Sequence, residues 1–188
     1  MRAVVGLGNP GLSYAFTRHN LGFWVLERLL RCGHWEVEKF PWGEVFRQGE
    51  KLLLRPLTFM NLSGSAVSQF LRIYRVAPSD LLLVYDDVDL PVGEVRLRPG
   101  GGPGTHRGMR SVLEELGTTD VPRLRIGIGP PPPDSDLAQF VLSPPKPEEV
   151  PILNSACDYA AELAFVFLEK GLQAALDAFS RRGPGPSV

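Results

Sequence analysis

Val5-Gly6-Leu7-Gly8-Asn9-Pro10-Gly11-Leu12-Ser13-Tyr14, running on through Thr17-Arg18-His19-Asn20-Leu21-Gly22, decides how the rest of the chain is read. The apolar run Ala3–Leu7 reads as a first strand, and it ends in a glycine–proline loop that carries the amide of Asn9. A histidine and a second asparagine stand just before an amphipathic pattern, Phe23, Leu26, Leu29 and Leu30, which predicts a helix over Leu21–Arg31. Ligands of α/β folds sit beyond the carboxyl ends of strands, so Asn9 and His19 fall near the expected site. One neutral imidazole with several amides suits general-base attack of water on a carbonyl.

The same stretch contains Gly6-x-Gly8-x-x-Gly11, which matches the dinucleotide fingerprint by letter. The mechanism behind that fingerprint is missing. A dinucleotide site needs the helix to open inside the glycine loop, so that its free N–H groups meet the pyrophosphate. Here Pro10 disfavours helical geometry at Asn9, and helical periodicity starts only after Asn20. Glu27, spaced as a ribose-binding acid would be, falls on the polar face of the helix.

Working outward, strand patterns recur at Glu44–Arg47, Leu52–Arg55, Leu81–Tyr85, Glu94–Arg98 and Arg123–Ile128. Helical periodicity covers Leu62–Tyr74, Gly108–Leu116 and Pro151–Phe179, the last broken near Gly171. Gly49-Glu50 reads as a hairpin, and Leu81–Tyr85, apolar throughout, as a buried central strand. The alternation predicts a single-domain three-layer α/β sandwich: a mixed, twisted sheet with helices on both faces. The expected domain spans residues 1–182, followed by a disordered tail over 183–188.

With 188 residues, 44% of them hydrophobic, the chain can bury a full core. A formal charge of −1 signals no global affinity for polyanions. Arginine nevertheless outnumbers lysine, and Arg96, Arg98, Arg107, Arg110, Arg123 and Arg125 crowd one stretch. Only a shared face would make them a phosphate track. Cys32 and Cys157, with no CxxC spacing, read as reduced thiols of a cytoplasmic protein. The apolar opening is too short for a signal peptide, and no stretch is expected to span a membrane.

Further polar loops complete the constellation. Asn61, in Pro56-Leu57-Thr58-Phe59-Met60-Asn61, could serve a site or simply cap the following helix. Asp86 comes first after the buried strand and so points at the same rim as Asn9. The acids of Asp86-Asp87-Val88-Asp89-Leu90-Pro91 could also be turn residues. Thr105 and His106, after the glycine run Gly100–Gly102, could do no more than cap a helix, and His34 beside Trp35 reads as inert. A carboxylate on one imidazole nitrogen would fix the tautomer of His19, as in hydrolase triads. Ser63 lies in no nucleophile elbow, so water is the expected nucleophile, and no clustered ligand spacing suggests a metal.

At these residues the chain resembles the bacterial peptidyl-tRNA hydrolase family. The matches are Val5–Gly11, Tyr14, Thr17–Asn20, Phe59–Gly64, Asp86–Pro91, Gly100–Gly102 and Arg123–Gly129, in family order and at family-like spacing. The resemblance implies hydrolysis of the ester joining a peptide to the 3′ ribose of tRNA, which frees the tRNA for translation. It makes His19 the base, Asp86 its support, and Asn9 the discriminator of blocked peptidyl esters from free aminoacyl esters. Tyr14, Phe59 and Asn61 would line the substrate channel. It further implies a monomer without metal or cofactor, binding the 3′ acceptor end of peptidyl-tRNA, with a transient link to the translation machinery. The chain departs from the family at Pro103-Gly104-Thr105 and at His106-Arg107-Gly108, where the family usually has His-Asn-Gly. Relatives with altered sites can bind RNA without hydrolysis; retention of Asn9, His19, Asn61 and Asp86 favours the enzyme.

Overall fold

A computed structural model describes residues 1–185. A seven-stranded sheet runs in the order β2-β3-β4-β1-β5-β7-β6. Its strands are β1 (Arg2–Gly6), β2 (Glu36–Phe40), β3 (Gly43–Gln48), β4 (Lys51–Pro56), β5 (Leu81–Pro91), β6 (Val95–Arg98) and β7 (Arg123–Gly129). The central strands β4, β1, β5 and β7 are mutually parallel, while β2, β3 and β6 pair antiparallel at the two sides. The helices are α1 (Leu21–Leu30), α2 (Ser63–Tyr74), α3 (Arg107–Leu116), α4 (Leu137–Val141), α5 (Val150–Lys170) and α6 (Leu172–Arg182).

Strand alternation divides the core in two. Val4, Leu82, Val84, Leu124 and Ile126 face α1, α5 and α6. Ala3, Val5, Leu81, Leu83 and Tyr85 face α2 and α3. Side chains two residues apart share a face of a strand, so the sheet is apolar on both sides and helices must cover both. The expected three-layer sandwich is thus present, with the predicted hairpin at Gly49 and with β5 buried at the centre.

The glycine loop owes its composition to packing. A Cβ on Gly6 would run into the Gly22 carbonyl oxygen, and one on Gly8 into the Phe23 ring. These glycines let α1 cross tightly over β1, and α1 begins only at Leu21, after two short 3-10 turns. Glu27 is exposed. The nucleotide pattern is a steric coincidence.

Three elements differ from the sequence reading. β2 was not expected, because Glu36-Val37-Glu38-Lys39-Phe40 is largely charged; it forms an exposed edge strand, where charge discourages further pairing. α4 was not expected either, since it has only five residues and none is buried. β5 runs past Tyr85 to Pro91, so the acids read as a turn belong to a strand with an irregularity between Asp87 and Pro91.

Two terminal features follow. By length and composition α5 is apolar enough to cross a bilayer, contrary to expectation. Its Leu153, Ala156, Ala160, Leu163, Ala164 and Phe167 are instead buried in the core. The expected tail begins with ordered contacts: Tyr159 Oη donates to the Gly183 carbonyl at 2.7 Å, and the Val95 N–H to the Pro184 carbonyl at 2.6 Å. Residues 186–188 lie outside the described residues.

Candidate active site

The carboxyl ends of β1, β4 and β5, with the amino end of β7, open into a cavity of about 750 Å³. Asn9, Tyr14, His19, Phe59, Asn61 and Asp86, the residues singled out in the sequence, all line it. Asp86 continues the parity of Leu82 and Val84 toward the α1 side, where His19 ends the approach to α1. The chain therefore delivers acid and imidazole to one point from two elements.

Asp86 is 1% exposed and sits between two histidines. His19 Nδ1 lies 2.8 Å from Asp86 Oδ2, and His106 Nε2 lies 3.2 Å from Asp86 Oδ1. The Met109 N–H donates to His106 Nδ1 at 3.1 Å. His106 Nδ1 must then be an acceptor, which puts its proton on Nε2 and directs it at Asp86. His106 is both the helix cap expected from the sequence and a second partner of the carboxylate. The two imidazoles lie 4.9 Å apart, and Tyr85 packs edge-on against His106 at 4.8 Å.

The electrostatics follow from this enclosure. Burial alone would raise the Asp86 carboxyl, but the attraction of His19 and His106 and their hydrogen bonds outweigh it, so Asp86 stays well below the usual carboxylate range. At His19 burial opposes the imidazolium. The charge of Asp86 and its hydrogen bond outweigh burial, and the pKa lies above 6.5, with Arg107 pulling it back down. Neutral His19 donates through Nδ1 to Asp86, so Nε2 carries the lone pair. Among the described residues Nε2 has no partner.

Asn9 is held with similar care. The Asn9 N–H donates to Asn20 Oδ1, and Asn20 Nδ2 donates to the Asn9 carbonyl, both at 2.9 Å. The Met60 N–H donates to Asn9 Oδ1 at 2.7 Å. With its oxygen already accepting from Met60, the side chain's free donor is Nδ2. No partner among the described residues takes that donor. The grip of Asn20 and the second hold of His106 on Asp86 were not foreseen as contacts; Asn20 was legible only as the neighbour of His19.

Tyr14 and Phe59 meet edge to face, with centroids 6.4 Å apart, and Phe59 is 56% exposed. Asn61 lies in a 3-10 turn, Met60–Leu62, and caps nothing; the N-cap of α2 is Leu62. The capping alternative for Asn61 is therefore absent. Ser63 is fully buried and donates to the Met60 carbonyl, unsuited to nucleophilic attack.

The sequence offered no metal-ligand cluster, yet His19, Asp86 and His106 place potential donor atoms within 4.8 Å of one another. Long-range folding, not local spacing, gathers them. The donor atoms that face each other are already hydrogen-bonded, His106 Nδ1 is occupied by Met109, and only His19 Nε2 remains open. That arrangement fits a proton relay better than a coordination shell.

The arginines divide. Arg96 lies opposite Arg125 and Arg98 opposite Arg123 on the β6–β7 pair, so these four share one sheet face. Arg123 is buried and donates to the carbonyls of Val121, Gly102 and Thr119, bracing the glycine loop. Arg125 pairs with Asp87, and Arg96 with Glu94. Arg107 opens α3 and lines the cavity, exposed and without a partner among the described residues. Arg110 is exposed and outside the lining.

One end of this α/β domain thus holds an imidazole paired with a buried carboxylate, a free amide donor and an open cleft, a set whose chemistry suits a hydrolase. Residues 3–185 match the family described as peptidyl-tRNA hydrolase. The peptidyl-tRNA hydrolase of Pseudothermotoga lettingae is 42% identical over 184 residues, covering 96% of this chain and 97% of that protein. That of Halalkalibacterium halodurans is 43% identical, covering 96% and 100%. The crystal structure of peptidyl-tRNA hydrolase from Acinetobacter baumannii superposes with a TM-score of 0.90 at 33% identity, covering 100% of this chain and 97% of that one. The chain belongs to the peptidyl-tRNA hydrolase family.

Proposed function

We propose that His19 is the general base of a peptidyl-tRNA hydrolase and that Asp86 supports it. As a family member the chain hydrolyses the ester between peptide and tRNA. The observation that carries the residue assignment is the pairing of His19 Nδ1 with buried Asp86, which leaves Nε2, among the described residues, as the open basic nitrogen in the cavity. Water in the cleft gives its proton to Nε2 as its oxygen attacks the ester carbonyl. Asp86 stabilises the imidazolium that forms. Asn9 Nδ2 donates to the carbonyl oxygen as negative charge develops there. Collapse of the tetrahedral intermediate expels the 3′ ribose oxygen, which takes the proton back from His19.

Tyr14, Phe59 and Asn61 form the wall that receives the peptide side of the ester. Arg98 and Arg107, both exposed in the cavity lining, suit the phosphates of the acceptor end, since Arg96, Arg123 and Arg125 are already engaged. An arginine at position 107 replaces a directional amide with a permanent charge and a phosphate-matching fork. We read the enzyme as cytoplasmic, where its substrate arises, and as a monomer in passing contact with the translation machinery. Incubation with N-acetyl-aminoacyl-tRNA tests the reading: free tRNA should be released by the wild type. Tight tRNA binding without release would instead identify an RNA-binding relative.

A further inference from the structure

The turn Arg18–Asn20 makes three different attachments. His19 reaches Asp86 and Asn20 reaches Asn9, while Arg18 turns to the segment around α4. The Arg18 N–H donates to the Ser143 carbonyl at 3.1 Å. Its Nη1 donates to the Phe140 carbonyl at 3.1 Å and the Ser143 carbonyl at 3.4 Å, and its Nη2 meets Glu149 Oε1 at 3.2 Å. The guanidinium also stacks 4.1 Å from the Phe140 ring centre. Glu149 in turn accepts from the Lys146 N–H at 2.9 Å. Arg18 is 5% exposed, a rare state for an arginine and a costly one unless every donor is engaged.

What Arg18 holds cannot hold itself. α4 has five residues, none of them buried, and a helix so short is unstable by its own hydrogen bonds. Only the half-buried Phe140 and Val141 pack on the core. Yet Asp136, Leu137, Ala138, Val141 and Leu142 form one wall of the cavity.

We propose that Arg18, with Glu149, is a positioning residue that fixes the α4 wall against the turn bearing His19, so that substrate is gripped at a set distance from the base. The proposal rests on the reading of the cavity as the substrate site. Arg18 contributes to binding through α4, not to proton transfer.

The test compares wild type, Arg18→Lys and Glu149→Gln. Arg18→Lys keeps the charge but cannot span the separate acceptors; Glu149→Gln leaves the carbonyl contacts in place and is the milder change. KM for N-acetyl-aminoacyl-tRNA should rise about tenfold in Arg18→Lys, the scale of one charge-assisted hydrogen bond, with kcat nearly unchanged. Glu149→Gln should move KM the same way by less. The acid limb of the pH–rate profile should stay in place, and amide hydrogens of residues 137–143 should exchange faster in both variants. An unchanged KM, or a fall in kcat with a displaced acid limb, would overturn the proposal. So would unchanged exchange over 137–143, which can be read even if the wild type proves inactive and if Arg18→Lys folds poorly, through Glu149→Gln. An inactive wild type alone would sink the functional reading.

Discussion

The floor of the cavity and its rim are built on opposite principles. On the floor, His19, Asp86, His106, Asn9 and Asn20 are largely buried, and among the described residues their side-chain polar atoms find partners in all but two places. Those exceptions, His19 Nε2 and Asn9 Nδ2, point to where chemistry is needed. At the rim, Phe59 and Asn61 are exposed, Tyr14 is half-buried, and Arg107 is exposed, without a partner among the described residues. Preorganised donors in a low-dielectric pocket stabilise a transition state without reorganising, whereas exposed side chains adapt to a large substrate. The difference teaches that floor substitutions should act on turnover and rim substitutions on affinity.

The largest departure should come from His19→Ala. Turnover should drop by roughly 10²–10⁴, the scale of general-base removal, while affinity for tRNA changes little, because a base acts in the transition state. Single-turnover hydrolysis beside a binding titration checks this. Full turnover in the variant would remove His19 from the mechanism. Asp86→Asn should follow at about 10²-fold, since the imidazolium loses its countercharge inside a buried pocket. A variant turning over like wild type would reduce Asp86 to a strand residue.

Asn9→Asp should come next. A carboxylate cannot donate, so hydrolysis of N-blocked esters should fall about tenfold or more, on the scale of one hydrogen bond to a charged group. Preference for blocked over free aminoacyl esters should narrow. Wild-type selectivity would end the role given to Asn9. The smallest effect belongs to Arg107→Asn at the rim. At saturating substrate its kcat should hold, binding should weaken at low salt, and the log–log salt slope should flatten by about 0.7, one phosphate contact to a single strand. Matching affinity and slope across a salt titration would make Arg107 a surface residue.

Much of the floor was legible in the sequence because its residues follow strands. Asn9 comes just after β1, and Asp86 follows an apolar run whose parity sets its direction. The pairing of His106 with Asp86 was not, since two residues twenty positions apart share no local pattern and His106 already had a sufficient role as a helix cap. Arg18 was hidden for a similar reason: its partners lie on α4 and Glu149, more than 120 residues away. α4 itself leaves little periodic signal, being short and unburied. β2 was missed because charge on an edge strand resembles a loop. The shared face of Arg96, Arg98, Arg123 and Arg125 depended on the β6–β7 register, which alternation suggests but only pairing settles.

The most direct test of the central claim, that a charge balance around His19 sets the base, is the pH dependence of single-turnover hydrolysis in wild type, Asp86→Asn and Arg107→Asn. Rate should rise with pH as His19 loses its proton, with the wild-type limb above the ordinary imidazole value because Asp86 favours the charged form. Removing that anion leaves burial and Arg107 unopposed, so the limb of Asp86→Asn should move to lower pH. Removing the guanidinium lifts a repulsion, so the limb of Arg107→Asn should move to higher pH. Three superimposable profiles, or both variants displaced in the same direction, would contradict the account.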